Sequence, residues 1–157
     1  MGAAERIAEG CGALSVRIVG EADALWCGRR CAALAAAIGF EGRALAEIAI
    51  VVSELVTNAL KFAGGGVVGA RRITAPRLGI EISVEDHGPG IEDPIAARVD
   101  GYSEGHLLEP EDYAHRTRGL GAGLGAVTRL MDEVVIESPP GGGARVVARK
   151  LLPANPH

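Results

Sequence analysis

The amphipathic segment from Arg43 to Ala63 constrains the fold of this chain more than any other feature. Its apolar residues recur at intervals of three and four, which predicts a helix with one face pointing inward. That face comprises Leu45, Ile48, Val52, Leu55, Val56 and Leu60. Three glycines, Gly64 to Gly66, follow directly and predict where the helix ends. A helix with a single apolar face must cover another layer of the protein.

Strand-like segments are predicted to form that second layer. Between Leu78 and Glu85, apolar residues alternate with Gly, Glu and Ser, which is the period of a half-buried strand. Four further strands are predicted at Leu14 to Val19, Val67 to Ile73, Glu133 to Glu137 and Ala144 to Leu152. The last two are separated by the turn sequence SPPGGG.

Helical segments are interspersed with these strands. After Asp23, which is predicted to cap a helix, Leu25, Leu34 and Ile38 recur at helical spacing as far as Gly39. Two more helices are predicted, at Pro94 to Val99 and at Gly123 to Met131. The order of elements predicts an α+β two-layer sandwich in which a mixed β-sheet carries helices on one face.

The 157 residues suffice for one domain. Within residues 1–157, the polar stretch from Tyr102 to Arg118 has no clean period and is interpreted as a mobile lid loop.

Composition excludes several classes of function. A formal net charge of -4 provides no broad positive field for nucleic acid, so no nucleic-acid partner is expected. We also expect no membrane partner and a cytoplasmic location, because no apolar stretch reaches the length of a span and the N-terminus lacks a signal-peptide pattern. The three cysteines lack metal-ligand spacing, and Cys27 and Cys31 are interpreted as buried thiols rather than a redox pair.

The first segment that can carry chemistry is SELVTNA, at Ser53 to Ala59. Glu54 and Asn58 are four residues apart, so on a helix they project from the same face one turn apart. A carboxylate can orient or deprotonate a hydroxyl, and an amide oxygen is a hard ligand suited to Mg²⁺. Taken alone, the pair is more typical of a solvated polar stripe than of a functional site.

The second segment is VEDHGPGI, directly after the predicted strand that begins at Leu78. Asp86 at the strand end can accept a hydrogen bond from an exocyclic amine, and Gly88 and Gly90 let the backbone approach a flat ligand such as adenine. A plain tight turn would use the same Gly and Pro residues.

The third segment is RGLGAGLG, at Arg118 to Gly125, which leads into a predicted helix. Alternating glycines allow successive amides to point into one concavity, where a phosphate can bind. The segment lacks the lysine and hydroxyl of a Walker loop, and the strand that a Rossmann fingerprint requires does not precede it.

In this order and spacing, the three segments resemble the N, G1 and G2 boxes of the GHKL (Bergerat-fold) ATPases. Within that superfamily the chain is similar to the RsbT-type switch serine/threonine kinases, through SELVTNALKFAGGG, EDHGPGIED, DGYS and GLGAGLGAVTRLMDE. The resemblance covers nearly the whole chain.

The resemblance implies ATP and Mg²⁺ as cofactors and assigns roles to individual residues. Glu54 would be the catalytic carboxylate, Asn58 the Mg²⁺ ligand and Asp86 the adenine anchor. The remaining nucleotide-binding set comprises Gly88, Gly90, Gly119, Leu120, Gly121, Ala122, Gly123 and Leu124.

Two departures from the family pattern affect this assignment of roles to residues. Family members usually place a threonine after the final glycine turn, where its hydroxyl helps to hold adenine, whereas here Gly143 is followed by Ala144. One lost hydrogen bond would cost about 1 kcal/mol of nucleotide affinity. The loop between Ser103 and Gly119 is also longer than in the typical switch kinase.

The resemblance implies a kinase that phosphorylates STAS-domain antagonist or scaffold proteins in a bacterial partner-switching stress pathway. The alternative is an anti-sigma factor or phosphatase-activating binding module in which ATP mainly shapes the interaction surface. Its partners would then include a sigma factor or a phosphatase of the PP2C type. The catalytic part of a histidine kinase is disfavoured, because no dimerisation helix with a phospho-accepting histidine precedes the first strand.

Overall fold

The computed structural model describes residues 5–10, 12–86, 102–103, 106–107, 124–138 and 142–154. In chain order the elements are β1 (Glu5–Gly10), β2 (Ala13–Ile18), α1 (Ala22–Ile38), α2 (Arg43–Ala63), β3 (Gly66–Ile73), β4 (Gly79–Asp86), β5 (Tyr102–Ser103), β6 (His106–Leu107), α3 (Leu124–Leu130), β7 (Glu133–Glu137) and β8 (Ala144–Leu151). Most of these elements lie where the sequence pattern predicts them.

The described strands form one large sheet and one small hairpin. The sheet has the order β1-β2-β3-β4-β8-β7, and β5 pairs with β6 separately. Helices α1 and α2 pack against each other and against the central strands, while α3 contacts α2 and β7. The α+β class is confirmed.

The prediction of a mixed sheet was wrong, because each neighbouring pair of described strands is antiparallel. The connections explain this result. Two helices in succession join β2 to β3, so the chain crosses the layer twice and returns antiparallel. Strand β7 follows α3 and runs in the same direction as β4, but β8 lies between those two strands and is antiparallel to both.

A row of apolar side chains crosses five strands in register and forms the floor of the core. Its members are Val16, Val68, Val84, Val146 and Ile136, all of them buried. Helix α2 covers this floor with the face predicted from the sequence: Ile48, Val52, Leu55 and Val56 are buried, and Leu45 and Leu60 are partly buried against the same core. Burial of these aliphatic side chains stabilises the packing of the two layers.

Helix α1 packs through small side chains. Its buried residues include Ala24, Cys27, Cys31 and Ala35, whereas Leu25 is 61% exposed. A Cβ atom at Gly28 would lie 3.3 Å from the carbonyl oxygen of Ala49, so this glycine lets α1 approach α2 closely.

The interpretation of Cys27 and Cys31 as buried thiols is confirmed. Burial raises the pKa of Cys27 to about 11 and that of Cys31 to about 12. Both thiols are therefore protonated at neutral pH.

Two further expectations are corrected. The chain forms a strand, β1, ahead of the first one predicted. Asp23 does not cap α1; its carboxylate accepts hydrogen bonds from the Val19 and Gly20 amides, both at 2.9 Å, and so closes the turn before the helix. The helix predicted at Pro94 to Val99 lies outside the described residues, as does the proposed lid loop apart from the four residues of β5 and β6.

Candidate nucleotide-binding site

The topology brings two of the three chemical segments to one end of the sheet. Asp86 is the last residue of β4 and pairs in register with Ala144, the first residue of β8. At the same end α2 finishes, and the chain enters β3 at Gly66. A Cβ atom at Gly66 would lie 3.3 Å from the Asp86 Cβ atom. The helix that carries Glu54 and Asn58 therefore ends beside the strand end that carries Asp86.

Glycines make this close junction possible. Gly64 adopts a left-handed conformation with φ of 75°, and its amide donates to the Leu60 carbonyl at 3.1 Å, which ends α2. A side chain at Gly66 would collide with the carbonyl oxygen of Glu85. The glycine run was predicted only to stop the helix. Its second role is to let the end of β4, which carries Asp86, pack closely against Gly66. That role depends on a contact between two elements, which the local sequence does not indicate.

Glu54 and Asn58 lie on α2, as predicted, one helical turn apart. Both are partly buried, whereas Thr57 between them is exposed and the neighbouring Leu55 and Val56 belong to the core. The pair therefore lies at the border of the core and not on the outermost stripe of the helix. This placement favours a functional interpretation over a solvated polar stripe, in which both side chains would be largely exposed.

Asp86 is oriented by the backbone of β8. Its Oδ1 atom accepts a hydrogen bond from the Ala144 amide at 3.2 Å, and Ala144 itself is buried. The position at which the family usually has a threonine thus contributes a main-chain contact to Asp86. A carboxylate held in this way is suited to accept a hydrogen bond from a ligand amine at a defined angle.

Only part of the predicted phosphate segment is described. Leu124 begins α3 and packs against the core, and its carbonyl accepts a hydrogen bond from the Thr128 hydroxyl at 2.9 Å. Gly88, Gly90, Gly119, Leu120, Gly121, Ala122 and Gly123 lie outside the described residues. Because α3 contacts α2, the glycine segment leads into a helix that packs against the one bearing Glu54 and Asn58.

Asn58 offers one amide oxygen, a ligand type that suits a nucleotide-bound Mg²⁺. The described residues contain no group of three or more His, Cys, Asp or Glu side chains able to hold a metal ion. Mg²⁺ typically takes one or two protein oxygens and fills its shell with water and substrate phosphates. A single amide oxygen from Asn58 is consistent with that mode.

The face of the sheet away from the helices carries a ladder of ion pairs that sequence reasoning missed. Arg71, Glu81, Arg149 and Glu133 are neighbours in register across four strands. Glu81 is nearly buried, and its two oxygens accept from Arg71 Nε and Arg149 Nε, each at 2.8 Å. The hydrogen bond from Arg71, supported by the one from Arg149, lowers the pKa of Glu81 despite desolvation. This ladder stabilises the sheet and lies opposite the helix-covered face that Asp86 shares.

Comparison with known proteins agrees with this geometry. Residues 27–150 match the family model described as "Histidine kinase-like ATPase domain", a span that includes Glu54, Asn58 and Asp86. The chain belongs to this family of ATP-using proteins, and the resemblance drawn from its three segments is confirmed.

Individual relatives show which members of this family the chain resembles. The chain is 35% identical over 138 residues to the serine/threonine-protein kinase RsbT of Bacillus subtilis (strain 168), covering 87% of this chain and 95% of the relative. It is 34% identical over 113 residues to the anti-sigma F factor of Caldanaerobacter subterraneus subsp. tengcongensis, covering 71% and 73% of the two chains. Within the family, the chain therefore groups with the partner-switching kinases and anti-sigma factors.

A solved structure shares the fold. A chain of the SiaB-SiaC complex from Pseudomonas aeruginosa superposes with a TM-score of 0.56 at 15% identity, over 88% of this chain and 89% of that one. Among the helices of the described ranges, none is long and apolar enough to cross a membrane.

Proposed function

We propose that this protein is a serine/threonine kinase that transfers the γ-phosphoryl group of ATP to a STAS-domain antagonist or scaffold protein in a partner-switching pathway. The supporting observation is the junction at one end of the sheet. There α2, which bears Glu54 and Asn58, is followed by Gly66, and Gly66 packs closely against Asp86. Family membership supplies the use of ATP.

Each described site residue has a role in this proposal. Asp86, oriented by the Ala144 amide, accepts a hydrogen bond from the exocyclic amine of adenine. The Asn58 amide oxygen would hold Mg²⁺, which neutralises charge on the phosphates when bound. Glu54 orients or deprotonates the serine or threonine hydroxyl of the partner. The segment from Gly119 to Gly123, which lies outside the described residues, would offer backbone amides to the phosphates.

A second output is favoured by the likeness to the anti-sigma F factor. Here the chain would sequester a sigma factor or dock on a phosphatase, and ATP would mainly shape its surface. The two outputs differ in whether phosphate leaves the nucleotide.

One experiment separates them. The protein is incubated with a co-encoded STAS-domain protein and γ-labelled ATP, and both label transfer and complex formation are measured. We expect label on a serine or threonine of the partner. A stable, nucleotide-dependent complex without any transfer would overturn the kinase proposal and leave the docking function.

A further inference from the structure

Lys150, near the end of β8, joins three elements through one ammonium group. It pairs in register with Ile80 on the helix-covered face of the sheet, and its side chain is mostly buried. Its Nζ atom lies 2.9 Å from Glu47 Oε2 on α2 and donates to the Leu130 carbonyl at the end of α3 at 2.7 Å. A lysine at this position binds a carbonyl that the helix itself leaves unsatisfied.

The corner that follows α3 is fastened to the same strand by two more bonds. The Asp132 amide donates to the Arg149 carbonyl at 2.9 Å, and Asp132 Oδ2 accepts from the Leu151 amide at 2.7 Å. These bonds tie the corner to β8 alone. Among the described polar contacts of this corner, the one made by Lys150 also reaches α2, through Glu47.

The contact with α2 has the character of a stable ion pair. The hydrogen bond from Lys150 lowers the pKa of Glu47, and Arg43 adds a second contact at 2.9 Å, so the carboxylate is charged at neutral pH. Because Lys150 and Glu47 are both sheltered from solvent, their attraction is screened less than that of a surface pair.

The far ends of both helices belong to the candidate site. Glu47 precedes Glu54 by two turns of α2, and α3 begins directly after the glycine segment that ends at Gly123. A shift of α3 against α2 would therefore change the distance between Leu124 and the pair Glu54 and Asn58. A mutation far from the reacting atoms that displaces the groups of a site by about 1 Å can cost roughly a hundredfold in rate.

We propose that Lys150 is a positioning residue for the nucleotide site: by clamping Glu47 and the Leu130 carbonyl, it sets α3 against α2 in the arrangement that binds Mg·ATP. This inference rests on the proposed function. In this role Lys150 acts through the two helices that it contacts.

The test compares Mg·ATP affinity, measured by titration calorimetry, with thermal stability in four variants of the full chain. Lys150→Met removes both contacts and is expected to raise the Kd about tenfold or more. Lys150→Arg keeps a donor for each partner and is expected to restore most of the affinity. Glu81→Gln weakens ion pairs on the opposite face of the sheet, so it is expected to lower the Tm while leaving the Kd within about twofold.

The fourth variant, Glu47→Gln, keeps the inference testable if the Lys150→Met protein does not fold. Glu47→Gln keeps the bond to Leu130 and weakens only the contact with α2, and a raised Kd in this folded variant supports the clamp. Unchanged Mg·ATP affinity in Lys150→Met would overturn this inference but not the proposed function. If Lys150→Met does not fold, unchanged affinity in Glu47→Gln would do the same. Failure of the unmodified protein to bind Mg·ATP would overturn the proposed function together with the inference.

Discussion

Glu54 lies at the border of the core, one turn before Asn58, with its neighbours Leu55 and Val56 holding this part of α2 against the sheet. Glu54→Gln keeps the shape of the side chain while removing its charge and basicity. If the carboxylate orients or deprotonates the hydroxyl, single-turnover transfer from labelled ATP to a STAS-domain partner should fall by roughly a hundredfold or more. Nucleotide affinity, measured in parallel, should change little.

Glu41→Gln is a suitable control for this substitution, because Glu41 is an exposed carboxylate just before α2. It should leave transfer within about twofold of the unmodified protein. Undiminished transfer by Glu54→Gln would remove the carboxylate from the mechanism and leave Mg²⁺ and positioning to account for it.

Asp86→Asn tests the adenine anchor. The variant can still accept from the Ala144 amide through its remaining oxygen, so the fold should persist with little change in Tm. Loss of a charge-assisted hydrogen bond, worth about 1.5–3 kcal/mol, should weaken ATP and ADP binding by roughly tenfold to a hundredfold. The matched control is Glu85→Gln, the exposed neighbour on the other face of β4. Equal nucleotide affinity in Asp86→Asn and Glu85→Gln would rule out this role.

The sequence predicted the positions of these residues because each depends on a local rule. A spacing of four on a helix and a carboxylate at the end of an alternating strand can be recognised without knowledge of the rest of the chain. The contact of Asp86 with Ala144 joins residues that are distant in sequence, so it could not be predicted in the same way.

Among elements, the junction between α2 and β3 bears most directly on the site. Gly66→Ala would drive a methyl group into the Glu85 carbonyl and against Asp86. We expect a loss of roughly 1–3 kcal/mol in the free energy of unfolding together with weaker nucleotide binding, because the strand end that carries Asp86 must move.

Denaturant unfolding and calorimetric titration measure the two effects separately. Gly20→Ala serves as the control, since a Cβ atom there would meet no other atom within 4 Å. Full nucleotide affinity in a destabilised Gly66→Ala protein would show that the junction supports the fold without placing Asp86.

The elements that the sequence predicted well are those with strong periodicity. Helix α2 and strand β4 have clear apolar spacing, and their bounds agree closely with expectation. Strand β1 was missed because ERIAEG has no alternating apolar pattern; its pairing with β2 through a tight turn stabilises it instead.

For the whole molecule, the ion-pair ladder on the sheet face away from the described helices predicts how stability depends on pH. The folded-state pKa of Glu81 lies below its ordinary value of 4.5, mainly through the hydrogen bond from Arg71. The stabilisation is therefore present above pH 4.5 and is lost as the pH falls through the lower folded pKa. The free energy of unfolding, measured by denaturant titration from pH 7 to pH 3, should decrease in this acidic window.

Glu81→Gln should be less stable at pH 7 and show a shallower acidic decline, because it has no proton to take up at this position. Glu85→Gln provides the comparison on the same strand. An identical acidic slope for Glu81→Gln and the unmodified protein would mean that other carboxylates control acid unfolding.

The order of the strands was the part of the architecture that the sequence could not predict. Local patterns specify that a strand forms and which face it buries, but not which edge it joins. Because β8 enters between β4 and β7, these two strands run in the same direction without being neighbours, and each described pair in the sheet is antiparallel.

The insertion of β8 also has a consequence for biosynthesis. The strand that closes the middle of the sheet is the last of the described strands to leave the ribosome. Until Ala144 has emerged, Asp86 lacks the amide that orients it, and β4 and β7 each have an edge without its pairing strand. A nascent chain therefore cannot complete the candidate nucleotide site before β8 has been synthesised.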